Sequence, residues 1–253
     1  PILNSQEQIR RWRELGGGSC GLHVDTGMQR LGVPSSDFSA LAMHGIDLAL
    51  VLTHFACADT PEHPLNAEQI ERFEAVRKRL PSVPVSIGGS AALLGPYAEK
   101  LPPIHVSRPG IGLYGGNPFV AGANPVQTVA ILEAHVLQVR EVGAGTPVGY
   151  GASELTERPT RIATVGIGYA DGVMRSLSSR GVFGFHGKRL RILGRVSMDL
   201  TQVDATDSEV QEGDWLEVFG HHIALDEVAR AAGTVSYEIL TGLGPRLDRT
   251  YRV

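Results

Sequence analysis

The run Asp47-Leu48-Ala49-Leu50-Val51-Leu52-Thr53, followed by His54, decides the fold. Its middle is apolar without alternation, the pattern of a strand buried on both faces, as in parallel sheets. Helix and strand signals alternate on either side of it. Upstream, residues 20–24 form a short apolar strand. Before that, Asn4 and Ser5, with Gln8 and apolar Ile9, Trp12 and Leu15, predict a capped helix. Pro34-Ser35-Ser36 opens a second expected helix that ends near Gly45. Downstream, Asn66 is the expected cap of an amphipathic helix that turns Ile70, Phe73, Val76 and Leu80 inward. A strand over 83–87, a helical stretch over 90–101 and a fourth strand over 104–107 complete the series.

Such alternation means parallel βα units. Each strand runs into polar or glycine-rich residues: Asp25-Thr26-Gly27, His54, Gly88-Gly89-Ser90 and Arg108-Pro109-Gly110. In βα barrels that end of the strands carries the chemistry. From about residue 127 the pattern turns β-like, with strands expected over 129–142, 161–167, 189–193, 196–203 and 215–219. Two short helices follow, over 225–232 and 236–240. The Gly-, Asn- and Pro-containing loop 115–125 separates the halves, giving domains 1–125 and 126–253.

Composition excludes several functions. Lys+Arg 23 against Asp+Glu 27 gives a net charge of −4 with no basic block, unsuited to nucleic acid. No run of about eighteen apolar residues marks a membrane span. The two cysteines, Cys20 and Cys57, form neither a disulfide framework nor a metal cluster, and suit a reducing cytoplasm. The 31 glycines in 253 residues exceed the usual ~7%. Lysine occurs only at Lys78, Lys100 and Lys188.

Five segments carry chemistry: His23-Val24-Asp25-Thr26-Gly27-Met28-Gln29-Arg30-Leu31-Gly32; Thr53-His54-Phe55-Ala56-Cys57-Ala58-Asp59; Ser107-Arg108-Pro109-Gly110-Ile111-Gly112-Leu113-Tyr114-Gly115; Gly166-Ile167-Gly168-Tyr169-Ala170-Asp171-Gly172; and Gly194-Arg195-Val196-Ser197-Met198-Asp199. In this order they resemble alanine racemase, a pyridoxal-phosphate enzyme built of a barrel and a C-terminal β domain. The resemblance implies the C-terminal half of a TIM-type (β/α)8 barrel followed by a mostly β domain. It also implies a homodimer that interconverts L- and D-alanine for cell-wall peptidoglycan.

Residue by residue, the resemblance gives Ser90, Gly110 and Ile111 to the cofactor phosphate, and glycine-rich backbone at a helix start suits that anion. It places Arg108 against the pyridine nitrogen, where a guanidinium keeps its proton and leaves the ring a weaker electron sink. Inversion at Cα requires proton-handling groups on both faces. Tyr169 corresponds to one of them, supplied across the dimer interface, and His54 links it to Arg108. Arg30 corresponds to the arginine that holds the cofactor phenol and the substrate carboxylate. Met198 offers that carboxylate its backbone N–H, with Asp199 and Arg195 near the entrance. No metal is implied.

Four positions depart from the family pattern. His23 stands where many relatives carry a carbamylated lysine that braces the arginine. Gly89 replaces an asparagine. Gly242-Leu243-Gly244-Pro245-Arg246 lacks a tyrosine that many relatives have. The cofactor lysine, on the family's first barrel strand, has no counterpart. Lys78 is expected in a helix, Lys100 before Leu101-Pro102-Pro103, and Lys188 in a β turn, none at the end of a strand. The chain therefore reads as an alanine racemase lacking roughly a hundred residues ahead of Pro1, since such barrels take about 250. An open half-barrel with exposed edges is expected to be marginal or to oligomerise. A non-catalytic binding or assembly module, and a racemase of serine or another small amino acid, stand as alternatives.

Overall fold

The computed structural model describes residues 1–40, 45–102 and 105–252. They form two compact units: residues 1–112 with 118–125, and residues 113–117 with 126–253. The excursion Leu113–Asn117 groups with the second unit, where Asn117 N donates to both carboxylate oxygens of Asp226.

The first unit is a parallel sheet with helices between its strands: β1 (Ile2–Leu3), α1 (Gln6–Glu14), β2 (Ser19–Asp25), β3 (Val33–Pro34), β4 (Asp47–Thr53), α2 (Pro64–Arg77), β5 (Val85–Ile87) and α3 (Ser90–Leu94). Strand order is β1-β2-β4-β5, with β3 beside β2, so successive βα strands are neighbours. This is the arc of a barrel. The strand at 47–53 has the bounds that were read, but only Val51, Leu52 and Thr53 are buried, while Asp47 and Ala49 are exposed. The first helix is observed as read, and its Gln8 N bonds Ser5 Oγ at 3.1 Å.

Several expectations change. Ile2 and Leu3 add a strand on Gly21 and Leu22 that was not anticipated, because two residues carry no periodicity. The helix expected from Pro34 to Gly45 is a 3-10 turn over Ser35–Ala40, and 41–44 lie outside the described residues. Asn66 does not cap α2. His63 does, with Nδ1 accepting from Leu65 N, while Asn66 sits inside the helix and its amide donates to Cys57 O and Thr60 O. The stretch 90–101 is α3 plus a 3-10 turn at Ala98–Lys100, broken at Gly95-Pro96 because proline cannot continue a helix. The fourth strand is reduced to one parallel bridge, Val85 to His105, with Ile104 outside the described residues.

The second unit is antiparallel: β6 (Leu132–Val142), β7 (Pro147–Val148), β8 (Glu154–Leu155), β9 (Thr160–Val165), β10 (Val182–Phe185), β11 (Lys188–Arg191), β12 (Thr201–Asp204) and β13 (Trp215–Phe219). Helices α4 (Leu225–Ala232) and α5 (Ser236–Thr241) follow, as expected. Six strands run β11-β10-β13-β6-β9-β12, and the bridge Ile192 to Val203 joins the two ends. The sheet thus closes on itself and leaves no free edge. Residues 196–200, expected as strand, form a loop instead. The short glycine-containing β10 and the two-residue β7 and β8 gave no strand signal.

The first unit's core centres on Leu22, Val24, Val51, Phe73 and Val85. Phe73 on α2 is fully buried. Phe73→Ala is expected to destabilise this unit by about 3–5 kcal/mol, the usual cost of truncating a buried phenylalanine, read as a lowered urea midpoint.

Candidate active site

At the C-terminal ends of β4 and β5, one cation organises the polar groups. Arg108 Nη2 donates to Thr53 O at 2.8 Å and to His54 Nδ1 at 3.2 Å, and Nη1 donates to Ser86 Oγ. Ser86 passes the chain on to Val106 O. A guanidinium offers only donors, so His54 Nδ1 accepts and the ring proton lies on Nε2. Burial, and next the Arg108 charge, push the His54 pKa down to about 4, so the imidazole is neutral at pH 7.

Below this group lies a buried brace. Gln69, fully buried on α2, donates to His54 O at 3.0 Å and Thr26 Oγ1 at 3.1 Å, and accepts from Ala56 N at 2.9 Å. Thr26 Oγ1 in turn meets Thr53 Oγ1 at 2.8 Å. This brace ties the loop after β2 to the loop after β4.

Next to Arg108, the buried Ser90 Oγ accepts from Gly110 N at 2.9 Å and Gly112 N at 3.1 Å. Both amides are thus paired to the hydroxyl oxygen, and the Ser90 O–H itself donates to nothing among the described residues. A Cβ on Gly112 would lie 3.4 Å from Ser90 Oγ, so a larger residue would crowd the cradle. Amides, a hydroxyl and little bulk fit a phosphate group. Ile111 between them is buried, and its N–H has no partner among the described residues.

Arg30 is exposed on the loop between β2 and β3 and makes no hydrogen bond or ion pair among the described residues. That loop opens with Asp25 Oδ1 accepting from Gly27 N and Met28 N, at 2.8 and 2.9 Å.

The second unit gathers a separate set. Tyr169 N donates to Ser197 O at 3.0 Å and Ala170 N to Met198 O at 2.9 Å, which ties the tyrosine turn to the Met198 loop. A Cβ on Gly168 would fall 2.4 Å from both Ser197 O and Met198 O, so only glycine permits that approach. The Met198 N–H has no partner among the described residues. Buried Asp171 accepts from Gly168 N at 3.0 Å, and Arg246 pairs with both Asp171 and Asp199, at 2.8 and 2.7 Å. Arg195 lies apart from this cluster, against Gly151.

The three lysines are engaged elsewhere. Lys78 ends α2, Lys100 Nζ lies 5.6 Å from the centroid of the Tyr97 ring, and Lys188 Nζ donates to Asp207 O.

Residues 1–118 match the family model described as "Alanine racemase, N-terminal domain", and 129–251 match "Alanine racemase, C-terminal domain". The chain belongs to the alanine racemase family. It is 43% identical over its whole length to the biosynthetic alanine racemase of Agrobacterium fabrum, covering 70% of that protein. The crystal structure of the Bartonella henselae alanine racemase with covalently bound pyridoxal phosphate is 37% identical. It superposes with a TM-score of 0.90 over all of this chain and 73% of its own. The biosynthetic enzyme of Pseudomonas aeruginosa gives 0.88 at 36% identity, with 100% and 73% covered. The fold is accordingly TIM-type barrel strands followed by a β domain, the cofactor of the family is pyridoxal phosphate, and its members are isomerases. No helix among the described residues is long and apolar enough to cross a membrane.

The sequence pointed to Ser90, His54, Arg108 and Tyr169, but not to their supports. Ser86 and Gln69 read as ordinary strand and helix residues. Asp171 and Arg246 each lay in a quoted motif with no role attached.

Two outcomes follow. Gly168→Ala is expected to cost about 1–3 kcal/mol by forcing the tyrosine turn off the Met198 loop, read by calorimetry. Because the folded pKa of His54 lies below its unfolded value, the unfolded chain binds more protons between about 6.5 and about 4. Stability therefore falls as pH drops through that window, and His54→Gln flattens part of the slope in urea unfolding at stepped pH.

Proposed function

We propose that in the complete enzyme this protein interconverts L- and D-alanine by a two-base route with pyridoxal phosphate, as its relatives are named for doing. The observation that carries this reading is the convergence of Ser90, Gly110 and Gly112 beside an Arg108 that is itself tied to a neutral histidine. Ser90, with the backbone of Gly110 and Ile111, would hold the phosphate. Arg108 would face the ring nitrogen and, keeping its own proton, leave that nitrogen an acceptor. When bound, pyridoxal phosphate draws electrons from the substrate Cα–H bond and so acidifies that proton.

Tyr169 would take up or return that proton on one face of Cα. His54, with its proton on Nε2, is a donor suited to the phenol oxygen. Arg30 and the free Met198 N–H would hold the substrate carboxylate, with Asp199 and Arg195 lining its approach. Tyr169 and Arg108 lie in different units, and a homodimer in which each protomer's second unit completes its partner's first-unit site accommodates both. The unpaired Cys20 and Cys57 support residence in the cytoplasm.

The positions of Lys78, Lys100 and Lys188 speak against any of them as the cofactor lysine. Borohydride reduction of the cofactor-loaded protein, then peptide mapping, is expected to find none of the three modified. A pyridoxyl group on one of them would overturn that reading. Incubation with L-alanine in D2O, followed by NMR and chiral chromatography, tests the activity. Tyr169→Phe is expected to slow interconversion by about 10²–10⁴-fold with Cα exchange lost on one face. Unchanged turnover would remove Tyr169 from its role, and faster turnover of serine than alanine would change the substrate.

A further inference from the structure

The exposed Met198, whose N–H is unpaired, is followed directly by Asp199. A carboxylate on the next residue is a poor neighbour for an amide that is to meet an anion. A second carboxylate, Asp171, ends the tyrosine turn. Arg246 engages both. Its Nε donates to Asp171 Oδ1 at 2.9 Å, and its Nη2 lies 2.8 Å from that oxygen and 2.7 Å from Asp199 Oδ1. An Nη nitrogen carries two protons, so Nη2 serves one carboxylate with each. Neither aspartate pairs with another cation among the described residues. Arg195, closer to Met198 in sequence, lies against Gly151 instead.

The segment that delivers Arg246 is seated on the tyrosine turn by its main chain. Gly244 N donates to Asp171 O at 3.1 Å, and a Cβ on Gly172, at φ +109°, would fall 2.8 Å from Gly242 O. The Arg246 and Asp199 side chains are each 53% exposed, and ion pairs open to water add little to stability. What the guanidinium changes most is charge. Asp171 and Asp199 bring two negative charges to the Met198 loop, and Arg246 leaves one.

We infer that Arg246 cancels the Asp199 charge beside the Met198 N–H and so opens that amide to an anionic substrate group. This deepens the proposed function, since it rests on the Met198 amide meeting a carboxylate. Arg246 is a positioning residue that acts through Asp199.

Two anions probe the amide in the 15N-labelled full chain. The first is hydroxide, which catalyses hydrogen exchange at an unpaired N–H and is kept away by negative charge. Exchange at the Met198 N–H is expected to slow about three- to fivefold in Arg246→Gln, the effect of one unit charge in water. The difference should fade in about 1 M salt. Arg246→Lys keeps the charge and should stay near the parent. Arg246→Gln combined with Asp199→Asn returns the local count to one negative charge and should restore the parent's rate. A loosened loop would do the reverse, with faster exchange in Arg246→Gln. The second probe is acetate, whose binding, read from the Met198 amide shift, should weaken and recover in the same order.

Faster or unchanged exchange in Arg246→Gln overturns the inference, as does a double variant no faster than the single one. Should Arg246→Gln fail to fold, Asp199→Asn decides: exchange must quicken at low salt and match the parent at high salt, and any other result overturns the inference. If acetate leaves the Met198 signal unmoved in every protein, the carboxylate-holding role of that amide fails, and hydroxide exchange alone decides for Arg246.

Discussion

The first unit's chemistry depends on one half-buried guanidinium. Arg108 arrives after the last strand and donates to a main-chain carbonyl on β4, an imidazole beside it and a hydroxyl on β5. A lysine could not fill the position, because the fixed fork of donors spans two strands at once. The same contacts define the histidine's tautomer, so geometry and proton inventory are settled together. An arginine paired only with neutral acceptors keeps its full charge within the site. Burial, and next that charge, depress the basicity of both neighbouring histidines, His23 and His54.

Both units meet the demand that a polar group near the core be satisfied, by different means. The parallel strands end in loops whose amides have no ladder partner. Gln69 supplies that lack from a helix, binding one loop's carbonyl and amide and another's hydroxyl with a single side chain. In the second unit the sheet closes, and the polar burden shifts to turns such as Gly168–Gly172, where Asp171 and Arg246 serve.

Long apolar runs were legible because their period is set by burial: β4 and α4 lie where the pattern puts them. Segments whose form depends on distant partners were not. Ile2 and Leu3 become a strand only because Gly21 and Leu22 are there to pair. Asn66 has the chemistry of a cap, yet its amide is drawn to the carbonyls of the preceding loop, and His63 takes the cap. Residues 104–107 read as strand, yet the described 105–107 reduce to one bridge before the chain turns to deliver Arg108. Among the site residues, those in motifs stood out. The supports did not, since glutamine in a helix or serine in a strand carries no local sign of its long-range bond.

The backbone pairing between the tyrosine turn and the Met198 loop has one more consequence. With Tyr169 N and Ala170 N bonded to successive carbonyls of that loop, and no room for a Cβ at Gly168, the tyrosine turn and the Met198 amide are held as one rigid piece. Neither can be retuned without moving the other. Change is easier on the first unit's loop between β2 and β3, where Arg30 is exposed and unpaired among the described residues.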